Sequence, residues 1–246
     1  MTTANGVEAT PEPARRSRVL RTFSTLLIVA GVLVLAWTVV VWRWNDPFTS
    51  LYTRWQQHKL ADQYSALAAR YHAHRVPPRA SVAQAERLID LDARRFRAQA
   101  QQGAAIGRIE VPRLHLDMVL VNGTDTATLR KGPGRDPRTY MPGEGELVYI
   151  AGHRTTYLAP FARIDALRPG DSITLRMPYG TFQYVVTGHQ IVDAHALWVL
   201  RSHHHEVVAL QACHPRFFAT HRYIVWAKPV RVTPRGGQPY TPVSQN

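Results

Sequence analysis

Cys213 is the only cysteine in a chain of 246 residues. It stands in Ala209-Leu210-Gln211-Ala212-Cys213-His214-Pro215, where a β-branched run, Val207-Val208, ends against a proline. A side chain at such a strand end can face a groove in place of a core. The polar, cationic stretch that follows, His214-Pro215-Arg216, favours the nucleophilic thiolate. His153 lies in Ile150-Ala151-Gly152-His153-Arg154-Thr155-Thr156, after an apolar run and at the start of a polar loop. An imidazole there can supply the acid and base that acyl transfer from a thiol needs. Arg222 opens the run Tyr223-Ile224-Val225-Trp226 and can donate hydrogen bonds to a developing oxyanion. Arg216 competes for that role, and spacing alone does not choose between them. His214 neighbours the cysteine on a strand end and is expected to point away from it. Consecutive residues cannot all face one metal from a regular element, so His203-His204-His205 reads as a solvated loop, with metal binding the lesser alternative.

The elements that must position these groups follow from hydropathy and period. Residues 1–22 form a polar, then arginine-rich tail carrying Arg15, Arg16, Arg18 and Arg21. Phe23 to Trp42 has no charge and is long enough to cross the roughly 30 Å hydrocarbon core. Trp37, Trp42 and Trp44 gather toward its far end like an interfacial belt, and the preceding arginines place the N-terminus in the cytoplasm. The span is longer than a signal-peptide core and lacks a small-x-small cleavage site, so an uncleaved single-pass anchor is expected. Two amphipathic helices are expected over 46–103. The first carries Leu51, Trp55, Leu60, Tyr64, Leu67 and Tyr71 on one face, with Pro77-Pro78 ending it. The second starts from a capping box at Ser81-Val82-Ala83-Gln84 and lines Val82, Ala85, Ile89 and Phe96.

From Ile106 the period becomes strand-like. Candidate strands are Ile106–Val111, Leu116–Val121, Leu147–Ala151, Ser172–Met177, Thr181–Val192, Val207–Ala212 and Tyr223–Val232, separated by Gly/Pro turns. Short helical turns are expected at Thr126–Lys131 and Pro160–Leu167. Strands at this spacing imply an all-β barrel or sandwich over 104–233, and residues 234–246 read as a loose tail. The net charge of +13 points to anionic partners, yet only three of the 30 basic residues are lysines. No zinc-finger spacing or aromatic ribonucleoprotein run is present, so nucleic acid is not an expected partner, and no cofactor is expected. A single cysteine forms no internal disulfide, and an unpaired thiol outside the membrane calls for a purpose.

Several stretches together resemble the sortases, most closely the class E group of actinobacteria. They are Leu129-Arg130-Lys131-Gly132-Pro133-Gly134, Met141-Pro142-Gly143, Ala151-Gly152-His153-Arg154-Thr155-Thr156-Tyr157, Pro160-Phe161, Leu167-Arg168-Pro169-Gly170-Asp171, and Cys213-His214-Pro215-Arg216-Phe217 through Thr220-His221-Arg222. The resemblance covers about residues 104–233 and the N-terminal anchor. It implies a closed β-barrel of about eight strands with short helices. It also implies transpeptidation at a Leu-Pro/Ala-x-Thr-Gly sorting signal on secreted proteins, with a cell-wall precursor or a pilin lysine as acceptor. On that resemblance Cys213 attacks the Thr–Gly carbonyl, His153 protonates the leaving amine and later deprotonates the incoming one, and Arg222 stabilises the oxyanion. The family usually has Thr-x-Thr before the cysteine, whereas Gln211-Ala212 stands here. Gln211 alternates onto the cysteine face and is a candidate substrate contact, together with Ala212, Trp198, Tyr140 and Tyr157. The loop Asp193–Glu206, with Leu197-Trp198-Val199-Leu200, is a candidate wall. Two rivals stand beside the transpeptidase: a sortase-like protein that mainly hydrolyses or is nearly inactive, and a tethered, non-catalytic module that binds anionic wall polymer.

Overall fold

A computed structural model describes residues 14–44, 47–202 and 204–243. The chain divides into two units after Trp44. In the first, helix α1 (Ala14–Trp44) contains the segment Leu20–Val40, with mean hydropathy 2.4 and none of it buried. It is long and apolar enough to cross a membrane. Thr25 and Thr38 donate their hydroxyls to the carbonyls of Arg21 and Val34, at 2.9 and 2.8 Å, which satisfies polar groups that hydrocarbon could not. Residues 1–13, 45–46, 203 and 244–246, and the side chains of Arg15, Arg16, Arg18, Trp42 and Trp44, lie outside what is described.

The second unit opens with α2 (Pro47–Arg70) and α3 (Val82–Gln99). Two expectations for α2 are corrected. Leu60 is buried and Tyr64, Leu67 and Tyr71 pack against the core as expected, but Leu51 and Trp55 are 69% and 52% exposed, so the apolar face does not extend into the first half of the helix. The first half of the helix is held instead by polar side chains. Thr53 donates to the Arg130 carbonyl at 2.8 Å. Gln57 donates to the carbonyls of Val119 and Lys131, at 3.1 and 2.8 Å, and accepts from the Val119 amide at 2.7 Å. An apolar period cannot register a face whose work is to satisfy backbone groups. The helix also ends at Arg70, before the prolines. Just beyond it, the buried Asp92 carboxylate takes the His74 amide and ring, at 2.8 and 2.9 Å, and holds the chain extended. The capping box of α3 is present, with Ser81 and Gln84 exchanging bonds, and Ala85, Ile89, Ala93 and Phe96 bury its apolar stripe.

Eight strands close into a barrel: β1 (Ala105–Val111), β2 (Leu116–Asn122), β3 (Gly134–Arg135), β4 (Leu147–Ala151), β5 (Ser172–Met177), β6 (Gly180–Asp193), β7 (Val207–His214) and β8 (His221–Pro234). Their order around the barrel is β1-β2-β3-β4-β7-β8-β6-β5. The eighth strand, β3, falls in a stretch that reads as a Gly/Pro turn. It completes the ring by pairing parallel to β2 and antiparallel to β4. A Cβ on Gly134 would lie 2.0 Å from the Gly123 carbonyl oxygen, so only glycine permits this approach. Helix α4 (Thr126–Leu129) and a 3₁₀ turn at Ile164–Ala166 stand where short helical turns were expected.

Alternation along β7 sorts its side chains between two cores. Val208, Leu210 and Ala212 point inward, into the large cluster with Ile150, Phe161, Phe182 and Val225. Ala209 points outward, into a second cluster with Leu147, Tyr149, Val192, Val199 and Ile224. Gln211 and Cys213 share that outward side by the two-residue period.

Candidate active site

The strand β7 does not stop before the cysteine. It runs on through Cys213 to His214, and Cys213 pairs across to Arg222 at the start of β8. Directly opposed residues of an antiparallel pair present their side chains on one face. On the other side β4 runs parallel to β7, with Ala151 level with Gln211 and the Gly152 amide donating to the Gln211 carbonyl at 3.0 Å. Continuing that register by two residues brings His153 level with Cys213. Gly152 is required for this turn, because a Cβ there would lie 2.6 Å from the Phe161 ring. The Phe161 amide closes the loop by donating to the His153 carbonyl at 3.1 Å.

The result is a cavity of about 270 Å³ on the outer face of β4, β7 and β8. His153, Cys213, Arg222 and Gln211 all line it. Tyr149 and Ala151 complete the floor, and Leu197, Val199 and Leu200, from a 3₁₀ turn after β6, form an apolar wall. Cys213 is a free thiol and half-buried. Burial holds His153 below the ordinary histidine value of 6.5, and the charge of Arg130 lowers it further, so the imidazole is neutral near pH 7. Its Nε2 is buried without a hydrogen-bond partner, as a group waiting for a proton or a substrate atom would be. The Nη1 of Arg222 donates to the carbonyls of Ala219 and His221, at 2.8 and 2.9 Å, which fixes the guanidinium beside the thiol. A thiol, an imidazole and a guanidinium therefore line one hollow with an apolar wall.

Other expected residues fall differently. Ala212 is fully buried in the barrel interior and faces away from the cavity. Position 212 therefore presents nothing to a substrate on the cysteine face. Tyr140 also lies away from the cavity, with the Arg97 guanidinium 5.2 Å from its ring. Trp198 is 47% exposed and does not line the cavity, although its neighbours do. Tyr157 sits beside the site rather than in it, with its ring 5.0 Å from that of His153 and the Arg130 guanidinium 5.7 Å from its centre. His214 turns from the cavity and receives a bond from Arg154 at 2.9 Å. Arg216 reaches the Ala162 carbonyl instead of the thiol, so of the two candidate arginines Arg222 is the one beside Cys213. Among the described residues no group of three or more His, Cys, Asp or Glu side chains could hold a metal. Sequence reading missed Arg154, and also Asp136 and Arg138, an ion pair at 2.7 Å on the far wall. A buried arginine carries no sequence signal that separates it from surface ones.

A thiol, an imidazole and a guanidinium on the outer face of a closed eight-stranded barrel are the groups that acyl transfer from a cysteine would use. A model of the sortase domain matches residues 109–230. Sortase D of Bacillus subtilis (strain 168) is 33% identical over 134 residues, 53% of this chain and 66% of that protein, so the chain spans just under two thirds of that relative. Among solved structures, the SrtA sortase from Actinomyces oris is 28% identical with a TM-score of 0.52, over 60% of this chain and 92% of that one. Sortase E1 from Streptomyces coelicolor, solved with a tripeptide in its active site, is 26% identical with a TM-score of 0.50, over 55% and 94%. The chain belongs to the sortase family, whose members are cysteine transpeptidases.

Proposed function

We propose that this protein is a membrane-anchored cysteine transpeptidase acting on a Leu-Ala/Pro-x-Thr-Gly signal. Cys213 is the nucleophile. Its Sγ attacks the threonine carbonyl, and the thiol proton passes to the neutral His153. As the Thr–Gly bond breaks, His153 gives that proton to the departing glycine nitrogen, leaving a thioester on Cys213. An incoming amine, from a cell-wall precursor or a pilin lysine, then attacks the thioester while His153 removes its proton. Arg222 donates to the oxyanion in both halves. The span Leu20–Val40 anchors the chain, with the basic N-terminus in the cytoplasm and the barrel outside.

The observation that carries this reading is the convergence of Cys213, His153 and Arg222 on one cavity from three neighbouring strands. Gln211, which shares the cysteine face, takes the place of the family's threonine as the polar contact to the signal. The test is mass spectrometry of the full chain in detergent with Leu-Ala-x-Thr-Gly and Leu-Pro-x-Thr-Gly peptides and a set of amines. A thioester on Cys213 and an amine-exchanged product are expected. Cleavage without amine incorporation would make the protein a hydrolase, and no adduct with any peptide would remove the reading altogether.

A further inference from the structure

We propose that Arg154 is a positioning residue for the nucleophile, tying the carbonyl of Cys213 and the ring of His214 to the loop that carries His153. Arg154 is 5% exposed. Its Nη1 donates to the Cys213 carbonyl at 3.2 Å and contacts His214 Nδ1 at 2.9 Å. Its Nη2 pairs with Asp165 at 3.0 Å, and the guanidinium lies 5.8 Å from the Tyr223 ring. Arginine only donates, so His214 Nδ1 must be the acceptor and the neutral ring carries its proton on Nε2. The charge of Arg154, after burial, also keeps His214 below the ordinary value, so His214 is not a competing acid beside the thiol.

A purely structural arginine would be an uneconomical choice here. Its only carboxylate partner, Asp165, has a side chain 51% exposed, and a pair so wetted is weakly stabilising. Its Nε is buried with no partner at all. A buried cation held on such terms is costly, and ion pairs of this kind can often be replaced whole by apolar side chains without loss of stability. What Arg154 does hold is the backbone of the reactive residue. The Cys213 carbonyl fixes the peptide that sets where Cα–Cβ points, and hence where Sγ sits over the cavity. Arg154 follows His153 directly, so one peptide unit places the imidazole on the cavity side and the guanidinium against the backbone of β7. A shift of the thiol therefore cannot occur independently of the base.

The catalytic arm of the test rests on the transpeptidase reading, and the alkylation arm does not. The full chain in detergent is compared as wild type, R154Q, R154K and D165N. The readouts are Cys213 alkylation by iodoacetamide, peptide turnover and thermal unfolding. Misplacement of about an ångström is expected to slow alkylation about tenfold in R154Q and to lower kcat about 30-fold with KM within threefold. R154K, which keeps the charge and one bond to the Cys213 carbonyl, is expected to recover about a third of wild-type kcat. R154Q that melts earlier but is alkylated at the wild-type rate while folded would overturn the proposal. If R154Q does not fold, the other two variants decide: alkylation slowed about threefold in D165N supports it, and both within about 1.5-fold of wild type overturns it. If the wild type turns over no peptide, the transpeptidase reading fails, and the alkylation rates still decide this one.

Discussion

The two ends of β7 are built on opposite terms. Just before the strand, Glu206 accepts from the Tyr184 hydroxyl at 2.6 Å and from the amides of Gly143 and Gly145 at 2.9 and 3.2 Å. Beside it Glu144 takes Arg97 at 2.8 Å and the Met141 amide at 2.9 Å. At the other end stand a free thiol, an imidazole with a buried unpartnered nitrogen and an arginine with another. These are the two buried unpartnered side-chain atoms among the described residues. The larger hollow, about 670 Å³, lies at the Glu206 end, and the smaller one holds Cys213, His153 and Arg222. Size of a cavity is thus a poor guide to chemistry in this fold. Unsatisfied polar atoms beside a nucleophile are the better one, because a buried group left unpaired is costly unless something is to bind there.

Substitutions at the two ends should therefore separate stability from turnover. The largest expected effect is Cys213→Ala, which abolishes peptide turnover and leaves the unfolding midpoint within about 2 °C of wild type, read by calorimetry beside the activity assay. Arg222→Gln is expected to lower kcat by about 10²-fold, the scale of losing one oxyanion donor, with little change in the midpoint. Glu206→Ala should do the reverse. It leaves a buried tyrosine hydroxyl and two amides unpaired, costs about 2–3 kcal/mol, and lowers the midpoint by roughly 5–10 °C, while the folded protein keeps its kcat. A Glu206 variant that loses turnover without losing stability would break the distinction between the ends.

The pH profile sharpens it. His153 must be neutral to accept the thiol proton, and its value is lowered by burial and by Arg130. Activity should hold as pH falls from neutrality and drop only as it passes below the ordinary value of 6.5. Arg130→Gln, which removes the second cause, should move that acid limb upward, toward the ordinary value. A limb above 7 in the wild type would mean that the imidazole is not held below its ordinary value, and activity that rises as pH falls below 6.5 would mean that the neutral imidazole is not the working form. The smallest effect expected is at Gln211. Changing it to Thr should shift the preference between Ala and Pro signals by about fivefold or less in kcat/KM.

Much of this was legible in the sequence, for physical reasons that also mark where it stopped. Seven strands announce themselves by alternation or by short apolar runs between turns, and Cys213, His153 and Arg222 each stand beside one. The eighth, Gly134–Arg135, has two residues and no period, and exists only because two longer strands leave a gap that it closes. Tyr140 and Tyr157 were drawn to the site by closeness in sequence, but one faces Arg97 and the other lies against His153 outside the cavity. Ala212 was a candidate as the residue next to the cysteine, and the alternation of a strand that runs on through His214 turns it into the core. Arg154 was invisible among many arginines, because what distinguishes it is burial and a bond to a backbone carbonyl.

The central claim is that the thiol of Cys213 carries the acyl group. The most direct measurement is the intact mass of the full chain after incubation with a Leu-Ala-x-Thr-Gly or Leu-Pro-x-Thr-Gly peptide and no added amine. The account predicts a mass increase equal to the peptide through its threonine, localised to Cys213 and absent in Cys213→Ala. Cleavage of the peptide that persists unchanged in Cys213→Ala would contradict it.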